Sequence, residues 1–333
     1  MSNQTKINNI PLSVLDLVPV LQNSSHKQAM ENSLSLAQHV EKLGYKRFWI
    51  SEHHNAESLV SSATPLLIGY VAQGTKTIRV GSGGVMLPNH APLIVAEQFG
   101  TLATLYPDRI DLGLGRAPGT DQKTARALRR ERIETVHDFP QDIQELQQYF
   151  SKNKTPSGVR AIPGEGLEVP LYILGSSTFS AQLSAEIGMP YAFASHFAPN
   201  HLHEALYLYR NGFNPSRQLE ESYAMAAANV VVAETDEEAD YLASSMKQFM
   251  LNIIRNTRQP LPPPVEDMSK IWNPMEEAHI NHMMQFSFVG SKETVAAKLD
   301  KFINETAINE LIVVSHIFDH NKRLRSFELL SQI

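Results

Sequence analysis

Two pairs of residues that could take part in chemistry stand at the ends of neighbouring predicted strands. Gly83 and Gly84 follow the run IRVGS, and Gly115 and Arg116 end the run RIDLGLGR, with a helical stretch between the two runs. The carboxyl ends of neighbouring parallel strands meet at one face, so the glycine pair and the arginine should lie close together. Paired glycines let the backbone approach a flat ligand, or mark only a bulge. The guanidinium can hold a phosphate or carboxylate, or pair with a nearby acid.

Small hydroxyl side chains follow the next predicted strand. The sequence Gly175-Ser176-Ser177 ends that strand and leads into a helical segment that carries Ser180 in its first turn. Hydroxyls and free backbone N–H groups at the start of a helix suit an anion, most often a phosphate, although serine is also a common helix cap. Together with Arg116 from the adjacent strand, these serines predict a phosphate site.

An acid and two imidazoles leave the second predicted strand as Glu52-His53-His54. Successive residues that leave a strand diverge, so the three side chains should not all face one point. One histidine at the mouth of the fold could act as a general acid or base because its pKa lies near working pH, whereas the alternative is a purely structural histidine.

Other polar residues at strand ends are candidates for the walls of a substrate pocket: Asp16, Glu52, His196 and His316. A metal-dependent hydrolase that uses the histidines and an acid is an alternative, but the chain lacks the HxH pair after the first strand and the HExxH helix that give such sites their spacing. No metal site is therefore predicted.

Short runs of branched apolar residues alternate with longer segments of helical period, which is typical of repeated βα units. The predicted strands cover residues 12–17, 47–51, 78–85, 109–114, 171–174, 191–194, 226–232 and 310–314. Eight parallel strands predict a TIM (β/α)8 barrel, because an open doubly wound sheet of this size would carry fewer strands and a distinct second domain. No linker divides the sequence, so residues 1–333 are expected to form a single domain.

One segment, 258–286, breaks this alternation between the seventh and eighth strands. It contains PLPPP at 260–264 and then a helical stretch. Prolines at that density favour extended backbone, so the segment is an insertion, either a mobile lid or a packed surface excursion. Its apolar side chains would suit closure over a site: Leu261, Ile271, Trp272, Met283 and Met284.

Composition excludes several classes of function. The chain has 333 residues, a net charge of −6 and no cysteine, so disulfides, thiolate metal sites and cysteine nucleophiles are ruled out. The sequence shows no basic patch, which argues against nucleic acid or an anionic membrane as a partner. The first residues lack the pattern of a signal peptide, and no apolar run reaches the roughly 18 residues of a spanning helix, so a cytoplasmic protein is expected.

Three stretches carry a resemblance to a known family: FWISEHHN, RVGSGGVMLPNHAPLIVAEQFGTLATLYPDRIDLGLGRAPG and LGSSTFSAQLSAEIGMPYAFASH. They resemble the bacterial luciferase-like, flavin-dependent monooxygenases over nearly the whole chain, and most closely the bacterial subgroup with no settled substrate. The resemblance implies a TIM barrel that binds FMN at its C-terminal mouth. It further implies a homodimer, a flavin reductase that supplies reduced FMN, and O2 with a small organic molecule as substrates.

The resemblance also assigns roles to single residues. Gly83-Gly84 matches a non-proline cis peptide beneath the isoalloxazine, Arg116 a contact on the phosphate side, and Ser177 with Ser180 the phosphate-binding turn. His53 matches the histidine that assists proton transfer in the luciferases. A second phosphate-contacting arginine is expected among Arg126, Arg129, Arg130 and Arg132.

One position departs from the luciferases. They carry a reactive cysteine immediately before the matching arginine, and Gly115 stands there in this chain, which argues against light emission. Two alternatives stay open, an oxidoreductase that depends on the deazaflavin F420 and a flavin-binding protein without catalytic activity.

Overall fold

The computed structural model describes residues 4–117, 121–128, 138–153 and 158–333. Its strands are β1 (Lys6–Ile7), β2 (Ile10–Asp16), β3 (Arg47–Ile50), β4 (Arg79–Met86), β5 (Ile110–Gly115), β6 (Leu171–Gly175), β7 (Tyr191–Phe193), β8 (Ala224–Val232), β9 (Ser287–Gly290) and β10 (Glu310–Val314). Eight of them, β2 to β8 and β10, pair in parallel and in chain order, and β10 pairs with β2 to close the ring. The predicted TIM barrel and its eight strands are confirmed, with boundaries that differ by one or two residues.

The α-helices of the described residues are α1 (His26–Lys42), α2 (Thr64–Gly74), α3 (Pro92–Leu105), α4 (Gln122–Leu128), α5 (Phe139–Phe150), α6 (Thr178–Glu186), α7 (Leu202–Asn211), α8 (Asp236–Ile254), α9 (Pro274–Met283), α10 (Lys292–Thr306) and α11 (His320–Leu330). Local chemistry sets their ends. Thr235 caps α8 by accepting a hydrogen bond from the N–H of Glu238, and Gly44 follows α1 in the left-handed conformation that glycine adopts readily. Within the described part of the chain, no helix is both long and apolar enough to cross a membrane.

Apolar side chains fill the barrel on both sides of its wall. The larger core lies between the strands and the surrounding helices and includes Phe48, Phe99 and Ile173. A smaller cluster that includes Trp49 and Tyr172 comes from strand residues of opposite alternation, as expected for the interior of a closed barrel. All nine residues of β8 are buried, since both faces of this strand are covered.

Two strands were not predicted. β1 pairs antiparallel with the start of β2, Lys6 opposite Pro11. β9 pairs in parallel with the last residues of β8, from Asn229 to Val232, and lies outside the barrel ring. Both are short, and their pairing partners are set by tertiary structure rather than by any periodic pattern of their own.

The predicted insertion 258–286 connects α8 to β9 and is attached to the barrel near its proline-rich start. The N–H of Leu261 donates to the carbonyl of Val20 at 2.8 Å, and the N–H of Gln22 donates to the carbonyl of Leu261 at 2.8 Å. Further along, both carboxylate oxygens of Glu276 accept from Arg255, at 2.7 and 2.8 Å. These contacts favour the packed alternative, while mobility of the segment, like the single-domain organisation, stays a prediction.

Buried charges join three strands at the amino end of the barrel. The Arg47 guanidinium donates to Asp111 Oδ2 at 2.7 Å and to Glu310 Oε2 at 3.2 Å, and all three side chains are buried. Burial opposes ionisation of Glu310, but Arg47 and Lys46 outweigh it and hold the pKa of that carboxyl below its ordinary value. Charges at this end of a TIM barrel serve stability rather than catalysis.

Replacement of Arg47 by methionine should destabilise the fold by about 3–5 kcal/mol, because two buried carboxylates lose a cationic partner. The free energy of unfolding in urea would measure the loss. Arg325, which is exposed and pairs with Glu234 at the surface, provides the matched control, and Arg325→Met should cost about 0.5 kcal/mol or less. Equal effects of the two substitutions would show that the Arg47 network does not stabilise the barrel.

Candidate active site

A cavity of about 540 Å³ opens at the carboxyl ends of the barrel strands. Of the residues predicted to form a site, those that line it are His53, Gly83, Gly84, Arg116, Ser176, Ser177, Ser180, His196 and His316. Gly83 and Gly84 lie in the last part of β4, and the others follow β3, β5, β6, β7 and β10. Residues from six strands thus converge on one rim, as the parallel barrel requires.

The paired glycines form one wall of the cavity. The peptide bond between Gly83 and Gly84 is cis, as the resemblance implied. The pairing of β4 with β5 shifts register between Ser82 and Val85. A Cβ atom on Gly84 would lie 2.7 Å from the carbonyl oxygen of Gly113 in β5, so no larger residue fits unless the neighbouring strand moves.

Arg116 leaves β5 and extends over the first turn of α6. Its guanidinium lies above the ring of Phe179, with the central carbon 4.2 Å from the ring centroid, a cation–π arrangement. No acid among the described residues pairs with it. The alternative of a structural ion pair therefore finds no support in the described part of the chain, and the N–H groups of this half-buried side chain can serve an anion in the cavity.

The serine turn after β6 contains both free and committed hydroxyls. Ser177 is the residue before α6, yet its side chain does not cap the helix, so the first backbone N–H groups of α6 are not satisfied by that hydroxyl. Ser180 differs, because its hydroxyl donates to the carbonyl of Ser177 at 3.1 Å and so uses its single proton within the turn. Ser176 and Ser177 are better placed than Ser180 to contact a ligand, and Ser180 shapes the turn.

His53 is held by a chain of hydroxyl groups. Its Nδ1 lies 3.0 Å from Ser51 Oγ, which lies 3.2 Å from Ser61 Oγ, and Ser61 donates to the carbonyl of Leu17 at 3.3 Å. All three contacts are satisfied together only when Ser51 donates to Ser61 and accepts from Nδ1–H of His53. That tautomer leaves Nε2 of His53 unprotonated and able to accept a proton.

The rings of His53, His196 and His316 are uncharged near neutral pH. Burial lowers the pKa of His53 to about 4, against a smaller opposing effect of the Glu52 carboxylate. Burial also lowers the pKa of His196 and of His316 to about 3. His316 stacks on Phe249 with a centroid distance of 4.8 Å. The Nδ1 atoms of His196 and His316 are buried without a hydrogen-bond partner in the described residues, and an unpartnered buried nitrogen of this kind is typical of a ligand site.

Asp16 and Glu52 do not line the cavity, so the geometry does not support their assignment to the substrate pocket. Asp16 follows Leu15, which does line it, and alternate strand residues face opposite sides. The Asp16 carboxylate accepts from Arg323 of α11 at 2.8 Å, and this buried pair is structural.

Glu52 holds two histidines beside the site. Its Oε1 accepts from Nε2 of His54 at 2.9 Å and from Nε2 of His90 at 2.8 Å. In the described residues these three side chains form the group whose ligand atoms, within 4.8 Å of one another, could surround a metal ion. His53, His196 and His316 do not belong to it, so the described residues do not assemble the histidine set of the hydrolase alternative.

Several cavity residues could not be assigned from the sequence. Three of them lie on the last two turns of α8, namely Phe249, Met250 and Ile253. The spacing of these residues predicts a helix, but the sequence does not predict how that helix is oriented over the barrel mouth. Arg126 lies on α4 and does not line the cavity, while Arg129, Arg130 and Arg132 lie outside the described residues.

Comparisons with known proteins agree with this geometry. The chain is 48% identical over 324 residues to a luciferase-like monooxygenase of Escherichia coli (strain K12), which covers 97% of each chain. It is 31% identical to the N-acetyl-S-alkylcysteine monooxygenase of Bacillus subtilis (strain 168), over 97% of each. The crystal structure of apo-MsnO8 superposes with a TM-score of 0.86 at 33% identity, over 97% of this chain and 98% of that one.

More distant structures share the fold and hold different cofactors. The oxygenating constituent of 3,6-diketocamphane monooxygenase from Pseudomonas putida, in complex with FMN, has a TM-score of 0.74 at 17% identity over 97% of each chain. An F420-dependent secondary alcohol dehydrogenase has a TM-score of 0.70 at 15% identity, over 97% of this chain and 98% of that one. The family model for luciferase-like monooxygenases matches residues 11–310. The chain therefore belongs to the luciferase-like monooxygenase family.

Proposed function

We propose that this protein is an FMN-dependent monooxygenase that uses reduced flavin and O2 to oxidise a small organic substrate. The observation that carries the proposal is that one cavity contains the cationic Arg116, the paired glycines and three neutral imidazoles, those of His53, His196 and His316. The named activities of relatives, a luciferase-like monooxygenase and an N-acetyl-S-alkylcysteine monooxygenase, support the same class of reaction.

The phosphate of FMN fits the end of the cavity at β6. Arg116 has no acidic partner among the described residues, and the hydroxyls of Ser176 and Ser177 line the wall beside the start of α6. A guanidinium, two hydroxyls and the first backbone N–H groups of α6 form the donor set that a phosphate takes. Ser180 stabilises the turn that positions these donors, because its hydroxyl donates to the carbonyl of Ser177.

The flavin ring fits the centre of the cavity. Gly83 and Gly84 present backbone without side chains, and the buried Nδ1 atoms of His196 and His316 have no described partner. When bound, reduced FMN supplies the electrons and the reaction with O2. The protein's own part is to orient the ring, exclude water and move one proton, for which Nε2 of His53 is suited by its tautomer.

Two alternatives follow from the same site. F420 carries a similar ring and phosphate, and the F420-dependent alcohol dehydrogenase of the same fold makes hydride transfer the rival reaction. A flavin-binding protein without activity is the other. Separate titrations with FMN and F420 would choose between the cofactors, and O2 consumption no faster than that of free reduced FMN would favour the inactive protein.

Arg116→Ala should weaken FMN binding about tenfold or more, because a charge-assisted bond to phosphate contributes about 1.5–3 kcal/mol. Quenching of flavin fluorescence during titration would measure the dissociation constant. The control is Arg217→Ala, which removes an exposed arginine that pairs with Glu168 and does not line the cavity. An unchanged affinity in Arg116→Ala would remove this residue from the phosphate site.

His53→Ala should leave FMN affinity nearly intact but slow oxygen-dependent turnover about a hundredfold or more, the usual contribution of a general acid or base. An oxygen electrode with photoreduced FMN would measure the rate, which also makes the proposed reductase partner unnecessary in the assay. His26→Ala, at an exposed helix start, is the control. Parallel losses of binding and turnover would make His53 a structural residue.

We further propose that the protein is a homodimer that associates through α2 and α3. Leu66, Ile94 and Leu105 on these two helices, which pack against each other, are 76%, 47% and 63% exposed, and a large exposed apolar surface would mark an interface. Sedimentation should give about twice the 37.2 kDa chain mass. Leu66→Glu should shift the protein to monomer, whereas Tyr207→Glu, an exposed apolar position on α7, should not. A monomeric wild type would refute the dimer.

A further inference from the structure

We propose that Arg258 binds the anionic head group of the substrate, and that the substrate is a small organic anion with an apolar body. The inference rests on the proposed function, since it assigns the part of the cavity that the flavin phosphate does not use. It begins from the charges of the cavity wall. Among the described residues that line the cavity, the side chains with a full charge are Arg116 and Arg258, and no carboxylate is present.

The two arginines reach the cavity from different segments, the end of β5 and the segment after α8. Arg116 lies over Phe179 at the start of α6, which follows β6. Arg258 donates to the carbonyl of Asn55, after β3, and its segment is bonded through Leu261 to the loop after β2. Asn55 follows β3, and β6 stands three strands from β3 in the ring order of the barrel. An anion held by Arg116 at the start of α6 therefore leaves Arg258 available for a second anion on the side of β2 and β3.

The existing contacts of Arg258 do not saturate its guanidinium. Its Nη1 lies 3.7 Å from Asp121 Oδ2, and the two side chains are 40% and 36% exposed. An exposed pair at that distance is weak. Asp121 is already engaged with the N–H groups of Lys123 and Thr124. Nε and Nη2 of Arg258 have no acceptor in the described part of the chain, which leaves two N–H-bearing atoms for a carboxylate or similar anion.

Asn256 and Gln259, within two residues of Arg258 in the sequence, also line the cavity. Most of the lining that α8 and α9 contribute is apolar: Phe249, Met250, Ile253 and Met283. Burial of a hydrocarbon group against these side chains stabilises binding, whereas a second charged group would find no partner there. Arg258 thus selects substrates that carry an anionic group, and the apolar side chains of α8 select substrates with an apolar body.

The test compares two probes of equal shape on the FMN-saturated protein, 4-phenylbutyrate and 4-phenylbutan-1-ol. Calorimetry should show that the wild type binds the acid about tenfold or more tightly than the alcohol. Arg258→Gln should abolish that preference while the affinities for the alcohol and for FMN stay within about twofold. The control variant Arg325→Gln, at the exposed pair with Glu234, should retain the preference.

Three outcomes would overturn the inference, each in a recognisable way. Equal or absent binding of the acid and the alcohol to FMN-saturated wild type would refute the anionic substrate alone. A loss of FMN affinity in Arg258→Gln as large as that in Arg116→Ala would assign Arg258 to the cofactor phosphate instead. A wild type that binds no FMN would refute the proposed function itself, and the inference with it.

Discussion

The buried ion network of Arg47, Asp111 and Glu310 is the interaction on which the rest of the structure depends. It ties β3, β5 and β10 together at the amino end of the barrel. A ring of parallel strands has two rims, and firm attachment at one rim leaves the other free for residues that contribute little to stability. The opposite rim accordingly contains paired glycines and, among the described residues, the imidazole nitrogens of His196 and His316 that have no hydrogen-bond partner, which would be costly in an ordinary core.

The electrostatics of the cavity follow from that division. Carboxylates near the site are turned away from it, Asp16 towards Arg323 and Glu52 towards His54 and His90. The histidines that remain are kept neutral by burial. In the part of the chain that the structure describes, the cavity wall therefore presents hydrogen-bonding groups without negative charge, an environment that favours anionic ligands and keeps imidazoles available as proton acceptors.

The sequence predicted the barrel well because each of its eight strands is a short run of apolar residues followed by a helical period. It also predicted that most of the candidate residues at strand ends lie around one cavity, since topology alone brings those positions together, while their roles stay predictions. It failed where tertiary packing decides. Strand alternation after Leu15 turns Asp16 outward, and the orientation of α8, which brings Phe249 to the mouth, is not encoded in its periodicity. The pairing of β9 with β8 joins residues more than fifty positions apart and carries no local signature.

The attachment of Leu261 between Val20 and Gln22 has a consequence for how this pocket could diverge. Leu261 is three residues after Arg258, so the backbone position of Arg258 depends on the loop after β2. That loop is more than two hundred positions away from Leu261 in the sequence. Substitutions near residue 20 would then alter ligand preference although the substituted side chains do not contact the ligand. Relatives whose cavity-lining residues are the same but whose sequences differ in that loop should therefore differ in substrate selectivity.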